Sequence, residues 1–227
     1  MKAGAGEHVL LALDTATSRA VVALGRIDGS LIDEDTWAAG HRHGEELLER
    51  LRDLLARSGT DLASVGGIVV GTGPGAFTGL RVGLATAKGL AHTLAVPIAG
   101  VSTAEALLAA ARAEGPHARA VLLPAGPSDR TLVRAGVATL LRSGDEVDLG
   151  PEDELVVVDL AGRAPDAAVA RGERAVTGLA TALLMLGAGR LAAGDGDDLA
   201  RLVPEYVTLP RGVREEVGEM AWSRGHR

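Results

Sequence analysis

Cysteine is absent from this 227-residue chain and aromatic residues nearly so: two Trp, one Phe and one Tyr make up 2% of the composition. Without a thiol there is no disulfide, no cysteine nucleophile, no Cys-based zinc site and no iron–sulfur cluster, so any metal would rest on His, Asp or Glu. The scarcity of aromatics leaves little surface on which nucleic-acid bases could stack. Basic charge is also short, 23 Lys+Arg against 30 Asp+Glu for a net charge of −7, which excludes a chain that grips a polyanion alone over a broad basic face. No uninterrupted apolar run approaches the ~20 residues of a membrane span. The opening MKAGAGEHVLLALD holds only a strand-length apolar run with no cleavage site after it. The expectation is a soluble, cytoplasmic protein with no membrane partner. What is abundant is small and aliphatic: 47% of residues are hydrophobic and 31 are glycine, far from the composition of disordered chains and sufficient for one large or two small cores.

The hydrophobic pattern orders these residues into elements. Val9–Asp14 is an apolar run ending in a carboxylate, Ala20–Ile27 is a second, and Leu31–Ala38 roughly alternates, with the hairpin signal Asp28-Gly29 before it. From Gly44 to Ser58 the period becomes helical. Leu47, Leu48, Leu51, Leu54 and Leu55 form a broad apolar arc, and Gly59 is the expected stop. Gly67–Gly71 reads as a buried strand entering a glycine-rich loop. A helix over about Thr78–Leu94 follows, then a strand Ile98–Val101 and a third helix, where Ser102 and Glu105 have the spacing of a capping box. Beyond about Glu114–His117 the order loosens. Strands are expected at Ala118–Leu123, Thr131–Leu140 and Leu155–Leu160, and one long helix over about Val176–Ala193. The pattern predicts an α/β protein of two related lobes, residues 1–114 and 115–227.

The segment most able to carry chemistry is Gly71-Thr72-Gly73-Pro74-Gly75-Ala76-Phe77-Thr78-Gly79-Leu80-Arg81-Val82-Gly83. Glycines between a buried strand and a helix bring N–H groups at a helix N-terminus close to whatever sits there, a recipe for an anion site; the same glycines also suit a tight turn that packs closely. The string lacks the Lys-Ser/Thr ending of a P-loop and the spacing of a dinucleotide fingerprint. Asp14, at a strand's carboxyl end, is placed either to contact a ligand in a cleft or to accept backbone N–H bonds in a turn.

GPGAFTGLRVG (73–83), LALDTATS (11–18) and GVSTAEAL (100–107) together resemble the bacterial TsaB family, also called YeaZ, over roughly residues 8–110. Pro204-Glu205-Tyr206 is similar to that family's C-terminal Pro-x-Tyr segment. Ala76 stands where Ser is usual, and Leu209-Pro210-Arg211 departs from the usual ending. The resemblance implies an actin-like (ASKHA, ribonuclease H-like) fold of two lobes, the second shortened and divergent. It implies a non-catalytic subunit that pairs with a TsaD-type protein for threonylcarbamoyl transfer to a tRNA adenosine beside the anticodon. ATP and metal would then belong to TsaD and a TsaE-type ATPase in a larger complex. This chain would need no cofactor, would meet tRNA only indirectly, and would form a homodimer when alone. The signature set, a candidate anion- or nucleotide-proximal site, is Asp14, Thr15, Gly73, Pro74, Gly75, Phe77, Thr78, Gly79, Arg81 and Gly83. The partner interface implied lies on residues 44–57 and 78–94, through Leu47, Leu48, Leu51, Leu54, Leu55, Leu80, Leu84, Ala87 and Ala91. Gly79, Gly83 and Gly89 would keep the second helix slim.

One departure bears on chemistry. Where relatives carry an Asp-Ala-Arg turn opening the second lobe, this chain has Leu123-Pro124-Ala125-Gly126-Pro127. Actin-like phosphotransferases hold a metal-nucleotide between carboxylates of two lobes, and only Asp14 is in its expected place; Asp129 and Asp159 are the candidate substitutes. That leaves a free-standing ATP-dependent phosphotransferase as a rival, and a metallopeptidase resting on His41 and His43 as a second. An i, i+2 His pair before a helix does not reproduce the i, i+4 pair of HExxH. Ser102 as a hydrolytic nucleophile is the weakest reading, since a helix cap explains it. No catalytic or metal-binding residue is therefore expected. The aromatics become anchors: Phe77 inside the signature loop, Tyr206 in the Pro-x-Tyr segment, Trp37 on the strand before the first helix, and Trp222 without a place.

Overall fold

The computed structural model describes residues 8–38, 43–115, 117–145, 148–149, 151 and 154–207, with the side chains of 43–45 outside that set. Strand β1 (Val9–Asp14) is apolar at every position but its last, as a strand covered on both faces must be. β2 (Arg19–Arg26) pairs antiparallel with β1, and β3 (Leu31–Ala38) antiparallel with β2 across the turn where Gly29 takes φ 86°. β4 (Val65–Gly73) and β5 (Ile98–Ser102) add on the other side, β4 parallel to β1 and β5 parallel to β4, for the order 3-2-1-4-5.

Helices α1 (His43–Ser58) and α2 (Phe77–Leu94) cover one face, packing on Leu11, Leu13, Val22, Leu24, Ile68 and Val70. Helices α3 (Thr103–Glu114) and α5 (Leu179–Ala192) cover the other, over Leu10, Ala12, Val21 and Val69. The α5 contact is close: a Cβ on Gly187 would come within 2.3 Å of the Val69 side chain. The same apolar layer reaches a four-stranded sheet of β6 (Ala120–Pro124), β7 (Arg130–Arg134), β8 (Val137–Leu141) and β9 (Leu155–Val157), in the order 8-7-6-9. Helix α4 (Asp166–Thr177) lies on β9, where a Cβ at Gly172 would stand 1.8 Å from the Val157 carbonyl oxygen. Three antiparallel strands followed by two parallel ones, with a smaller second sheet behind the α3–α5 layer, make this an α/β fold of the actin-like, ribonuclease H-like type.

Several local expectations are corrected. The run Thr131–Leu140 is a hairpin, because Ala135 and Gly136 both take left-handed dihedrals, φ 50° and 76°. The helix expected over Val176–Ala193 is the end of α4 plus α5, bent by 59° where Gly178 passes Ala110 of α3. The strand expected to reach Leu160 stops at Val157, with Asp159 at φ 59°. The capping box is not formed: the Ser102 side chain caps nothing and donates to the Gly73 carbonyl at 3.1 Å. No single helix among the described residues is long and apolar enough to cross a membrane.

Candidate functional site

β4 carries Gly71, Thr72 and Gly73 into the signature loop and α2 leaves it at Phe77, with a cis peptide between Gly73 and Pro74. Asp14 is fully buried on the α3 side of its sheet. One carboxylate oxygen accepts the Ala16 N–H at 2.7 Å and the other the Thr103 hydroxyl at 2.7 Å; Thr103 Oγ1 in turn accepts the Gly73 N–H at 3.0 Å. Burial pushes the Asp14 carboxyl up to about 6, with the bonds from Thr103 and Ala16 pulling the other way. A Cβ on Gly71 would stand 1.8 Å from Asp14 Oδ2.

The next two residues fill the rest of the hollow. The Thr15 hydroxyl donates to the Gly79 carbonyl at 2.7 Å and sits in a notch at Gly83, where a Cβ would meet Thr15 Oγ1 at 2.2 Å. The Ala16 carbonyl accepts the Ala76 N–H at 2.7 Å and lies 2.2 Å from where a Gly75 Cβ would be. The space over Gly71, Gly75 and Gly83 is thus taken by protein atoms, and the Ala76 N–H at the start of α2 is already bonded. Thr78 is exposed.

A C-terminal strap closes the outside of the loop. The Phe77 and Tyr206 rings lie 5.1 Å apart, the Arg81 guanidinium stands 4.3 Å from the Phe77 ring centre, and Arg81 Nε donates to the Tyr206 hydroxyl at 3.1 Å. The Glu205 N–H donates to the Thr72 carbonyl at 2.8 Å, while its carboxylate accepts from the Thr72 hydroxyl at 2.5 Å and stands 3.4 Å from Ser102 Oγ. Sequence reasoning missed Glu205 as a partner of the loop; its only signal was its place inside Pro-x-Tyr.

Between the signature loop and the β6–β7 turn lies a cleft of about 540 Å³, bordered by Ala16, Pro74, Phe77, Gly126, Asp129, Asp159 and Tyr206. Neither candidate substitute carboxylate is free. Asp159 accepts from the Ser18 N–H at 2.6 Å and from the Ser18 hydroxyl, and Asp129 accepts the Ser143 N–H at 3.1 Å. Among the described residues no group of three or more His, Asp or Glu could hold a metal ion. His41 lies outside the described residues, as do the side chain of His43, Leu209-Pro210-Arg211 and Trp222.

The helix residues expected at a partner interface divide in two. Leu47, Leu51, Leu54, Leu80, Leu84, Ala87 and Ala91 are buried in the chain's own core, and Leu55 is partly buried against it. Leu48, 55% exposed, is the one that faces outward. On α2 the exposed positions include Ala85 and Gly89 beside Arg81, His92 and Thr93, with Val82 and Leu90 half-buried. The apolar arc is broad, but most of it is spent on the sheet beneath, leaving Leu48 at its rim. Trp37 is also core, with Arg50 5.5 Å from its ring centre.

The fold and the filled signature loop define an actin-like protein whose inter-lobe cleft holds no opposed pair of free carboxylates among its described residues. The family model described as TsaD: tRNA N6-adenosine threonylcarbamoyltransferase matches residues 37–156, just over half of the chain. The chain belongs to this family, on its TsaB (YeaZ) side: it is similar to the tRNA threonylcarbamoyladenosine biosynthesis protein TsaB of Escherichia coli, 39% identical over 94 residues. That match covers 41% of this chain and 40% of the relative. The TsaB of Haemophilus influenzae is 40% identical over 103 residues, 45% of this chain and 42% of the relative. The chain thus spans less than half the length of these two curated relatives. A solved structure of YeaZ from Pseudomonas aeruginosa superposes with a TM-score of 0.66 at 25% identity, covering 88% of this chain and all of that one.

Proposed function

We propose that this chain is a non-catalytic subunit that pairs with a TsaD-type protein and supports threonylcarbamoyl transfer to tRNA adenosine. The observation that carries the reading is the inward-facing signature loop. Asp14, Thr15 and Ala16 occupy the space its glycines open, and Asp159 is tied to Ser18, so among the described residues the cleft offers no two-lobe pair of free carboxylates for a metal-nucleotide. ATP and metal then belong to the partners, a TsaD-type protein and a TsaE-type ATPase, and tRNA is met through them, in keeping with a net charge of −7. The signature residues act as a brace that holds the start of α2 in place. The partner surface is the outward side of the α1–α2 pair, with Leu48 on α1 and Ala85 and Gly89 on α2. The lobes divide at residues 114 and 115, with α5 reaching back to the first sheet.

Co-purification with the same organism's TsaD tests this. The wild-type chain is expected to form a heterodimer and Leu48→Glu to weaken it by about tenfold or more, with an unchanged thermal melt because Leu48 is exposed. Absence of a complex under any nucleotide condition overturns the pairing; turnover of Mg-ATP by this chain alone overturns the non-catalytic assignment.

A further inference from the structure

Among the described residues, α5 is the one helix whose exposed positions carry no charge. Thr181, Met185, Leu186, Gly189 and Ala192 face solvent there, whereas α1 exposes Glu49, Arg52 and Asp53, α2 exposes Arg81, α3 Glu105 and α4 Glu173. Its single charged residue, Arg190, is paired with Asp195 at 3.1 Å and Asp197 at 2.9 Å. The inner side of α5 packs on Val69 and the α3 layer, so the helix is apolar nearly all round, as helices with neighbours on every side are. Yet Met185 is 62% exposed. Both flanks continue this surface. On one, the β2–β3 turn is seated on the helix, with the Cβ position of Gly29 2.9 Å from Met185 Cα. Ile27 and Leu31 border that turn, and Leu31 pairs with Gly25, whose Cβ position lies 2.8 Å from the Leu184 side chain. On the other flank Leu186 borders an open hollow of about 800 Å³ together with Leu202 and Val203. Of the eight large hydrophobic residues exposed among the described residues, five thus gather about α5: Ile27, Leu31, Met185, Leu186 and Val203. Apolar side chains collected in this way, unlike scattered ones, mark an interaction site.

The hollow is acidic. Four carboxylates, Glu105, Asp197, Asp198 and Glu205, line it against two guanidiniums, Arg190 and Arg201. Arg190 and Asp197 neutralise one another. Asp198 and Glu205 accept from neutral donors, the Ala200 N–H at 2.7 Å and the Thr72 hydroxyl at 2.5 Å, so both keep their charge. We propose that the outer side of α5 and the adjoining hollow dock one amphipathic helix of a different protein. That helix is apolar where it meets Met185 and Leu186, and carries lysine or arginine along the edge that meets Glu105, Asp198 and Glu205. Thr181, Gly189 and Ala192 flank Met185 with small side chains, and a Cβ at Gly189 would have nothing within 4 Å, which lets a second helix come close. The surface lies on the opposite face of the first sheet from α1 and α2, so this partner is additional to the one that pairs through Leu48.

Titration of the full chain with a fluorescent synthetic peptide of about 18 residues, about five helical turns, tests it. The peptide carries leucine at i, i+3, i+4 and i+7 and lysine elsewhere. Saturable one-to-one binding is expected, with amide exchange slowed over Leu179–Ala192. Met185→Glu should weaken binding by about tenfold or more and Glu105→Lys by about fivefold. Both residues are exposed, so circular dichroism should show either variant folded. Leu48→Glu should leave peptide binding unchanged, and Met185→Glu should still co-purify with TsaD. The same peptide with glutamate in place of lysine should bind about tenfold more weakly. Equal binding of the two peptides, no binding of either, slowed exchange on α1 and α2 instead, full binding by Met185→Glu, or its failure to pair with TsaD overturns the proposal. So does a self-dimer in sedimentation velocity that Met185→Glu dissolves, since a second copy would then cover α5.

Discussion

The end of β1 and the end of β9 face one another through the β1–β2 turn, yet their carboxylates have different surroundings. Asp14 is sealed under the signature loop and bonded only to the chain's own N–H and hydroxyl groups, while Asp159, two residues beyond β9, is exposed and linked to the first lobe through Ser18. The loops beside them differ in the same way. Gly71, Gly75 and Gly83 are crowded to within about the length of a bond or two, whereas Gly126 in the facing β6–β7 turn has nothing within 4 Å of a Cβ. One wall of the cleft is thus locked and the other open.

The glycine contrast gives the largest expected effect. Gly71→Ala drives a methyl into Asp14 and should cost about 3 kcal/mol of unfolding free energy, the upper end of overpacking losses. Gly126→Ala meets only its own φ of 106° and should cost about 1–2 kcal/mol. Chemical denaturation of the two variants settles the difference, and equal losses would erase the distinction between the walls.

Next is the pH response of Asp14. Because its folded pKa of about 6 lies above the ordinary 3.8, the folded chain keeps the proton where the unfolded chain has lost it. The stability this group confers is complete below about pH 4 and is lost as pH rises to about 6. Relative to Asp14→Asn, wild type should lose about 3 kcal/mol across that window and nothing more above it. Unfolding curves that stay parallel at about pH 4.5, 5.5 and 7 would show that Asp14 is no more sealed than Asp159.

The smallest effect belongs to Asp159 itself. Asp159→Ala removes an exposed tie to Ser18 and should lower stability by about 1 kcal/mol or less, measured by thermal melt. A larger loss would make the open wall as structural as the closed one.

The first sheet was readable because its strands and helices follow clean periods: β1, β3 and α2 lie within a residue of where the pattern puts them. What fills the signature loop was not readable. Thr15 and Gly79, or Thr72 and Glu205, are 64 and 133 residues apart, and no local pattern encodes such a meeting. A broad leucine arc likewise does not say which rim is buried, so Leu47 and Leu48 looked equivalent until the sheet beneath α1 separated them. In the second sheet the run TLVRAGVATL reads as one strand because a single Ala-Gly pair is a weak turn signal. The bend at Gly178 escaped because a lone glycine inside a helical pattern is usually tolerated.

Helix α5 is made after the second sheet but lies across the first, with Gly187 seated on Val69. During synthesis the β1–β5 sheet is complete in sequence at Ser102 and α3 follows at once, yet the part of that face that α5 covers stays open until Ala192 has left the ribosome. At about 5–20 residues per second that delay is roughly 5–20 s, a window in which Leu10, Ala12, Val21 and Val69 are open to a chaperone or to another nascent chain.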